Sequence, residues 1–372
     1  MKHAHYDVVV IGGGPAGLAT ALSITQECRK NGIELSILVA EATDGKRERI
    51  GESAIPNLLV PLHKLGLTAA FRGGDHVPSP GNVSIWGHNK APCEDFLMNP
   101  MGPAWRLNRA AFDQMLVDAV LAHGIELCFE TRFIGVRKQE TQGKGYDLEF
   151  SCSRENKTAI QADLVVDASG PRAHFSRALG GQTNIDDQLY ATACFSDVVS
   201  GTLPLQTWVE AVEDGWWYLA CLPNQRIVSM FVGDAETLGR MKKNDYEFWP
   251  QFIQKTNLIG PTVSNLETRN SQYKSFPILS SVAEQTEGDD WILVGGAAAS
   301  YDPIVAHGLY NALSTGVMAG KRIVNNDKNA PSYQDFIQTK FKEYKEYREH
   351  LYNLETRFED AKFWQRRHTS HA

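Results

Sequence analysis

Apolar residues in this chain occur in short runs, and their spacing changes along its length. Residues 6–11 and 35–40 are compact runs rich in Val, Ile and Leu that predict buried parallel strands, and residues 18–28 predict a helix between them. Residues 162–167 and 291–294 are two similar runs. Residues 184–275 alternate as in an antiparallel sheet, and from 341 to 361 apolar residues recur every three or four positions, as in helices. The pattern predicts an α/β fold with a mainly antiparallel second part and C-terminal helices.

The first apolar run ends directly in a glycine-rich loop. The loop consists of Gly12, Gly13, Gly14, Pro15, Ala16 and Gly17. A strand, a Gly-x-Gly-x-x-Gly turn and a helix place a pyrophosphate at the helix N-terminus, where main-chain N–H groups and the helix dipole favour negative charge. The run at 35–40 is followed by Glu41, where a carboxylate binds ribose hydroxyls. These features predict a Rossmann-like dinucleotide site; the alternatives are a plain strand-to-helix turn and a solvated acid.

Two further turns follow the later apolar runs. The run at 162–167 ends in a turn with Asp167 and Gly170, and the run at 291–294 ends in a turn with Gly295 and Gly296. A further segment follows with Asp302, Pro303, His307 and Gly308. The last group opens another predicted helix, and a proline suits its first turn. A nicotinamide dinucleotide fold needs only the first glycine loop. A chain that returns to the nucleotide from its middle and its far end indicates FAD, with ordinary strand ends and a proline-bounded helix start as the alternatives.

These turns resemble those of the FAD-dependent monooxygenases and halogenases related to p-hydroxybenzoate hydroxylase. The resemblance implies that Asp167 and Gly170 lie near the FAD pyrophosphate, that Gly295 lies in a third binding turn, and that residues 302–308 contact the flavin ring. At 296 this chain has Gly where the family has an Asp that hydrogen-bonds the ribityl chain. A lost buried hydrogen bond costs about 1–3 kcal/mol, or roughly 5- to 150-fold in affinity, so we expect weak FAD binding and partial loss of FAD on purification.

Two segments add arginines to this predicted site. Residues 47–56 resemble the Arg-x-Arg-x-Gly-Glu-Ser…Pro element of halogenase-like members, and residues 105–113 resemble an Arg-x-x-Phe-Asp helix start. The resemblance implies that Arg49 and Arg109 reach the flavin nucleotide, because a planar guanidinium binds phosphate through two hydrogen bonds. A surface ion pair is the alternative for each.

The motifs together resemble the LodB-like flavoproteins, which mature lysine ε-oxidase and glycine oxidase. They include Gly-Glu-Ser at 51–53, Ile-Trp-Gly-His at 85–88, Gly-Trp-Trp-Tyr at 215–218 and Phe-Trp-x-Arg-Arg at 363–367. The resemblance implies an FAD-dependent monooxygenase that hydroxylates a tryptophan of a precursor quinone-cofactor amine or amino-acid oxidase during cysteine tryptophylquinone biogenesis, through a flavin C4a-hydroperoxide. NADPH is the expected transient reductant. A substrate side chain on a folded protein requires a wide opening with an exposed apolar rim.

Domain bounds and catalytic residues are less well marked. The Pro- and Gly-rich residues 76–103 interrupt the α/β pattern. We expect a discontinuous FAD-binding domain of residues 1–75, 104–183 and 276–330, a substrate domain of residues 76–103 and 184–275, and C-terminal helices over residues 331–372. His307 is a candidate proton relay or substrate-orienting residue, with a structural histidine as the alternative. Trp86, Trp216 and Trp217 are either packing residues or walls of the substrate pocket.

Other functions stay open at this stage. A tryptophan-halogenase Trp-x-Trp-x-Ile-Pro signature is not matched at 217–223, and no lysine stands in a matching context to carry an oxidised halogen, which disfavours halogenation. A hydroxylase or halogenase of a small aromatic molecule, a geranylgeranyl-reductase-like enzyme and a non-catalytic flavin-binding chaperone are the alternatives.

Composition narrows the class of protein. The 372 residues carry a net charge of −7, which argues against a nucleic-acid partner. The six cysteines are scattered without a Cys-x-x-Cys pair, so we expect free thiols in a reducing compartment and no metal site. We find no apolar run of about 18 residues and no room for a signal peptide before the first predicted strand. The expected location is the cytoplasm.

Overall fold

The computed structural model describes residues 1–46, 49–90, 93–95, 99–139, 145–152, 157–201, 206–242, 249–325 and 332–368. Its strands are β1 (His5–Ile11), β2 (Ile37–Ala40), β3 (Ser53–Ala54), β4 (Val77–Ser79), β5 (Gly81–Ile85), β6 (Cys93–Asp95), β7 (Ala104–Arg106), β8 (Glu126–Cys128), β9 (Arg132–Lys138), β10 (Tyr146–Ser151), β11 (Lys157–Asp167), β12 (Thr183–Ser200), β13 (Thr207–Val212), β14 (Gly215–Leu222), β15 (Arg226–Gly233), β16 (Glu267–Ala283), β17 (Glu287–Gly288), β18 (Trp291–Leu293) and β19 (Ala299–Ser300). Its helices are α1 (Pro15–Asn31), α2 (Leu59–Lys64), α3 (Thr68–Arg72), α4 (Arg109–Ala122), α5 (His174–Ala178), α6 (Ala235–Lys242), α7 (Trp249–Ile253), α8 (Ile259–Ser264), α9 (Gly308–Asn325), α10 (Tyr333–Asn353) and α11 (Lys362–Gln365).

A parallel sheet carries the glycine loop. Its strands lie in the order β18-β11-β1-β2-β8, all parallel, and β17 extends the β18 edge in the antiparallel direction. Residues 8–11 of β1 are at most 4% exposed, as expected for an apolar strand covered on both faces. The predicted α/β fold is confirmed, and the strands expected near residues 6, 37, 165 and 292 are neighbours in one sheet.

Close contact between α1 and α9 brings the far end of the chain to the glycine loop. A Cβ atom at Gly316 would lie 2.6 Å from the carbonyl oxygen of Ala16, and one at Gly320 would lie 2.5 Å from the Cβ of Ser23. These distances exclude any larger residue at both positions, so the two helices approach each other at glycines. The same packing holds the turn at 295–296 near the start of α1, since a Cβ at Gly295 would lie 2.6 Å from the Cβ of Ala16.

The second sheet is built mainly from antiparallel strands. Among the described residues its order is β19-β16-β12-β15-β14-β13-β5-β6, and only the β13–β5 pair is parallel. The predicted mainly antiparallel sheet is therefore confirmed. The expected domain boundary at residue 276 falls inside β16, which pairs with β12 over nearly its full length. A small third sheet, β3-β7-β4, lies at the segments that carry the two arginine motifs.

The C-terminal region packs against the cores of both large sheets. Tyr333 and Ile337 belong to the core of the parallel sheet, whereas Tyr352 belongs to the core of the antiparallel sheet. Tyr347 and Leu354 are 50% and 48% exposed, so the apolar residues that recur from 341 to 361 are not all buried. The reason is that α10 buries only the side that faces the two sheets.

Three further observations concern the cysteines, metal binding and membrane-spanning helices. The five cysteines whose side chains are described are free thiols. In the described part of the chain, no group of His, Cys, Asp and Glu side chains is placed to hold a metal ion. None of the described helices is both long enough and apolar enough to cross a membrane.

Candidate functional site

The loop between β1 and α1 has no space for side chains. Gly12 has a φ of +114°, and a Cβ there would lie 2.4 Å from the carbonyl oxygen of Ala168. A Cβ at Gly17 would lie 2.0 Å from the carbonyl oxygen of Gly12. Gly14 is the N-cap of α1 and supplies no capping side chain, and Pro15 begins the helix. The first turn of α1 is thus a site for a phosphate, because its main-chain N–H groups lack intrahelical partners. We call this loop and first turn, residues 12–17, the phosphate cradle.

Glu41 lies beside this loop at the end of β2. Its carboxylate accepts hydrogen bonds from the Gly13 N–H (2.9 Å) and from the main-chain N–H and hydroxyl of Thr43 (2.9 and 2.6 Å). The side chain is 8% exposed and lines the large cavity described next. Its position is the one that a ribose ligand requires, and its role as a ribose ligand stays a prediction.

A cavity of about 820 Å³ begins at the glycine loop and runs between the two sheets. Its walls come from all three predicted glycine turns and from β16. They include Gly12, Gly14, Pro15, Ala16, Glu41, Arg49, Gly170, Phe276 and Gly296. Gly17 and Gly295 are not in these walls; they permit the close packing behind them, and a Cβ at Gly295 would lie 2.6 Å from the Cβ of Ala16. A site of this volume with a phosphate cradle at one side suits FAD.

Arg49 and Arg109 lie on the other side of the loop and share one carboxylate. An Arg49 Nη atom lies 3.6 Å from the position of a Cβ at Gly14, so its guanidinium lies over the cradle. Arg109 donates to both oxygens of Asp113 (3.1 and 3.3 Å) and to the carbonyl oxygen of Ile50, while Arg49 is 3.9 Å from Asp113. Arg49 is therefore placed to meet a phosphate, and Arg109 fixes the segment that carries it.

A second cavity of about 630 Å³ adjoins the first. The two share Pro15 and Arg49, and Arg109 and Glu52 line the second cavity only. Its lining also includes Leu121 and Phe129, which are 53% and 37% exposed. The second cavity therefore has exposed apolar side chains at its edge.

Asp167 faces away from both cavities. It is fully buried, and its carboxylate accepts hydrogen bonds from the N–H and hydroxyl of Ser169 (3.0 and 2.6 Å) and from the N–H groups of Phe175 and Ser176 (3.0 and 3.1 Å). Burial raises the pKa of Asp167, although these hydrogen bonds oppose the rise. The structure thus places Asp167 as the residue that shapes the turn before Gly170, and contact with a cofactor stays a prediction for it.

The loop at 302–308 is also shaped by a buried carboxylate, that of Asp302. Asp302 is 1% exposed and caps the short helical turn Pro303–Val305 by accepting the N–H of Ile304 (2.9 Å). Burial, with a contribution from Lys340, lowers the pKa of His307, which favours the neutral ring at pH 7. The residues that line the two cavities do not include Asp302, Pro303, His307 or Gly308; α9 contributes Ala312 instead.

Position 296 lies in the wall of the larger cavity, opposite Pro171. A Cβ there would lie 3.0 Å from the Cδ and 3.2 Å from the nitrogen of Pro171. Pro171 therefore fills part of the space that an Asp side chain at 296 would need.

A buried polar chain at the second cavity was missed by the sequence reasoning. Arg106 donates to the hydroxyl of Ser53, and an arginine can only donate. The Tyr218 hydroxyl donates its only hydrogen to the carboxylate of Glu52, so the Ser53 hydroxyl donates to the oxygen of Tyr218 (2.7 Å). Burial raises the pKa of Tyr218, and burial raises the pKa of the neighbouring Cys221 to about 11. Glu52 and Arg106 stand in the two arginine motifs, but only the fold shows that Tyr218 lies between them.

The three tryptophans left open by the sequence are packing residues in this structure. Trp216 and Trp217 are each 1% exposed and lie in separate clusters on opposite faces of β14. Trp86 is partly buried, and its indole N–H donates to the carbonyl oxygen of Leu351 (2.7 Å).

A phosphate cradle completed from three distant parts of the chain, beside a large antiparallel sheet, defines an FAD-dependent oxidoreductase. The chain belongs to the FAD binding domain family, whose model matches residues 5–326. It is 28% identical over 365 residues to the putative FAD-dependent oxidoreductase LodB of Marinomonas mediterranea, covering 98% of this chain and 97% of that protein. The predicted superfamily, the FAD cofactor and the oxidoreductase class are confirmed.

Solved structures show the same fold. The myxobacterial chondrochloren halogenase CndH is 21% identical, with a TM-score of 0.85 over 100% of this chain and 87% of that chain. The peptidyl tryptophan dihydroxylase QhpG, essential for tryptophylquinone cofactor biogenesis, is 22% identical, with a TM-score of 0.75 over 98% of this chain and 79% of that chain. One fold thus serves a halogenase and a peptidyl hydroxylase, so the substrate must be argued from the site.

Proposed function

We propose that this protein is a monooxygenase that hydroxylates a tryptophan side chain of a precursor oxidase during cysteine tryptophylquinone biogenesis. Similarity to LodB over almost the whole chain and the fold shared with a peptidyl tryptophan dihydroxylase support the proposal. The observation that carries it is the 630 Å³ cavity beside the cradle, with Leu121 and Phe129 exposed at its edge. A protein-borne indole needs such an opening because the main chain around it stays outside.

In this proposal, some residues of the site bind FAD and others orient side chains at the second cavity. The main-chain N–H groups of Gly14, Ala16 and Gly17 bind the FAD pyrophosphate, Arg49 neutralises its charge, and Glu41 binds the adenosine ribose. When bound and reduced, FAD supplies the activation of O₂ and the transfer of one oxygen atom to an electron-rich ring. The buried chain from Arg106 to Glu52 keeps an oriented carboxylate at the second cavity. NADPH as reductant and a cytoplasmic location stay predictions from the sequence.

Co-expression with a candidate precursor oxidase tests the function. The precursor should gain the mass of one or more oxygen atoms, and peptide mapping should place them on one tryptophan. The gain should disappear when the Gly17→Ala variant is co-expressed, because a side chain there disrupts the cradle. It should also disappear when the modified tryptophan of the precursor is changed to phenylalanine. A precursor of unchanged mass, recovered with FAD-loaded wild-type protein, would reject the proposal.

A halogenase of a small aromatic molecule is the second candidate. Lys274 lines the 820 Å³ cavity, and a lysine near a flavin is the residue that an oxidised halogen would modify. The test supplies reduced FAD, O₂ and bromide or chloride with the halogen-accepting probe monochlorodimedone. Halogenation that is lost in Lys274→Met favours this candidate, and the absence of halogenation by the FAD-loaded wild-type protein rejects it.

A further inference from the structure

One side of α10 is directed at Asp302. Tyr344, Arg348 and Tyr352 are four residues apart, a spacing that places them on the same face of a helix. The hydroxyl of Tyr344 accepts the main-chain N–H of Asp302 (2.8 Å), and the hydroxyl of Tyr352 donates to its carboxylate (2.8 Å). Nε of Arg348 lies 3.8 Å from the same carboxylate. Three successive turns of the helix thus hold one residue of the loop that precedes α9.

The bond from Tyr352 has a fixed direction. The indole N–H of Trp216 donates to the Tyr352 hydroxyl (3.1 Å), and an indole nitrogen can only donate. The hydroxyl therefore uses its own hydrogen for Asp302, and its oxygen accepts from Trp216. The three side chains are at most 1% exposed, so water does not compete for these bonds. The result is a chain of hydrogen bonds from the antiparallel sheet, through the C-terminal helix, to the 302–308 loop.

The helix itself is anchored firmly. Arg348 is paired with Asp186 (2.6 Å) and Asp187 (2.8 Å) at the start of β12, and Arg367 is also paired with Asp187 (2.8 Å). The ring of Tyr352 packs in the cluster that contains Trp364. The hydroxyl of Tyr352 therefore has little freedom to follow the loop, and the loop must conform to the helix.

We propose that Tyr352 is a positioning residue that fixes the 302–308 loop and, through it, the position of α9 relative to FAD bound in the 820 Å³ cavity. This inference rests on the proposed function, with FAD bound in the 820 Å³ cavity whose wall α9 reaches through Ala312. Asp302 caps the turn Pro303–Val305 with one oxygen and accepts from Tyr352 with the other, so a change at Tyr352 shifts the cap. Because the N-terminus of a helix carries partial positive charge, its distance from the flavin affects how well negative charge on the reduced ring is stabilised.

The test compares Tyr352→Phe with Tyr347→Phe. Both remove one hydroxyl from α10, but Tyr347 is 50% exposed. Phenylalanine keeps the ring packing at 352. We expect the FAD dissociation constant to rise about tenfold in Tyr352→Phe, with a shifted visible spectrum and a more negative reduction potential of the bound flavin at saturating FAD. Tyr347→Phe should match the wild type in all three. Trp216→Phe, which removes the donor at the other end of the chain, should shift the spectrum in the same direction.

The outcomes separate this inference from the proposed function. A lower melting temperature in Tyr352→Phe with unchanged FAD affinity, spectrum and potential would show that Tyr352 serves stability alone, and would overturn the inference. None of these measurements uses the precursor oxidase, so a failure of tryptophan hydroxylation leaves them interpretable. If the wild-type protein binds no FAD, the inference and the proposed function both fall.

Discussion

The contact between position 296 and Pro171 determines how FAD affinity should respond to Gly296→Asp. The new carboxylate offers a hydrogen bond to the ribityl chain, worth about 1–3 kcal/mol. The Cβ that carries it would lie 3.0 Å from the Cδ of Pro171, which is tighter than most packing contacts, so the proline must shift. Overpacking of this kind costs about 1–3 kcal/mol. Because the two effects offset each other, the dissociation constant of the single variant should stay within about fivefold of the wild-type value.

Removing the proline should separate the two effects. Pro171→Ala deletes the Cγ and Cδ atoms that crowd position 296, so Gly296→Asp combined with Pro171→Ala should bind FAD roughly 5- to 150-fold more tightly than Pro171→Ala alone. The assay is titration of the apoprotein with FAD, followed by the quenching of flavin fluorescence. A single Gly296→Asp variant that already binds about 100-fold more tightly would refute the steric argument. A double variant that gains nothing would refute the placement of the ribityl chain beside residue 296.

Three further predictions concern the cradle, the 302–308 loop and the buried polar chain. Gly17→Ala should abolish FAD binding in the same titration, since the added methyl group would lie 2.0 Å from a carbonyl oxygen of the loop, whereas Gly239→Ala, in open space on α6, should bind normally. Burial and Lys340 lower the pKa of His307, so the unfolded chain takes up a proton below about pH 6.5 before the folded protein does. The free energy of unfolding should therefore fall as the pH drops through this range, and it should fall less in His307→Gln. Thermal denaturation at about pH 7.5 and about pH 5.5 measures the difference. Tyr218→Phe should lower the free energy of unfolding by about 1.5–3 kcal/mol, because a buried carboxylate loses a hydrogen bond; an unchanged denaturation midpoint would contradict this.

The cradle was predictable because its requirements are local. Gly12 needs a positive φ, and Gly17 must carry no side chain where it meets the main chain of its own loop, so both are fixed by the residues around them. The strand before the loop and the helix after it follow from apolar spacing. Glu41 lies beside the loop because it directly follows a strand parallel to β1, and its role as a ribose ligand stays a prediction.

The orientation of acidic residues could not be read from their positions. Asp167 and Asp302 both stand at turns that were predicted to contribute to the FAD site, but each carboxylate points into the protein and holds its own turn. The chain leading to Glu52 was missed because Tyr218 is 166 residues away from it. No spacing rule relates residues so far apart, and their contact depends on how the antiparallel sheet is laid against the segments after β2.

The amino-acid sequence by itself determined the class of cofactor and the type of fold, because glycine positions and apolar periodicity act over a few residues at a time. Only the tertiary structure decided which polar side chains face the cavities, that Pro171 stands opposite Gly296, and that the C-terminal helix reaches Asp302 across 50 residues of chain. These contacts depend on the packing of two sheets and a helix against one another, and packing is a property of the whole chain.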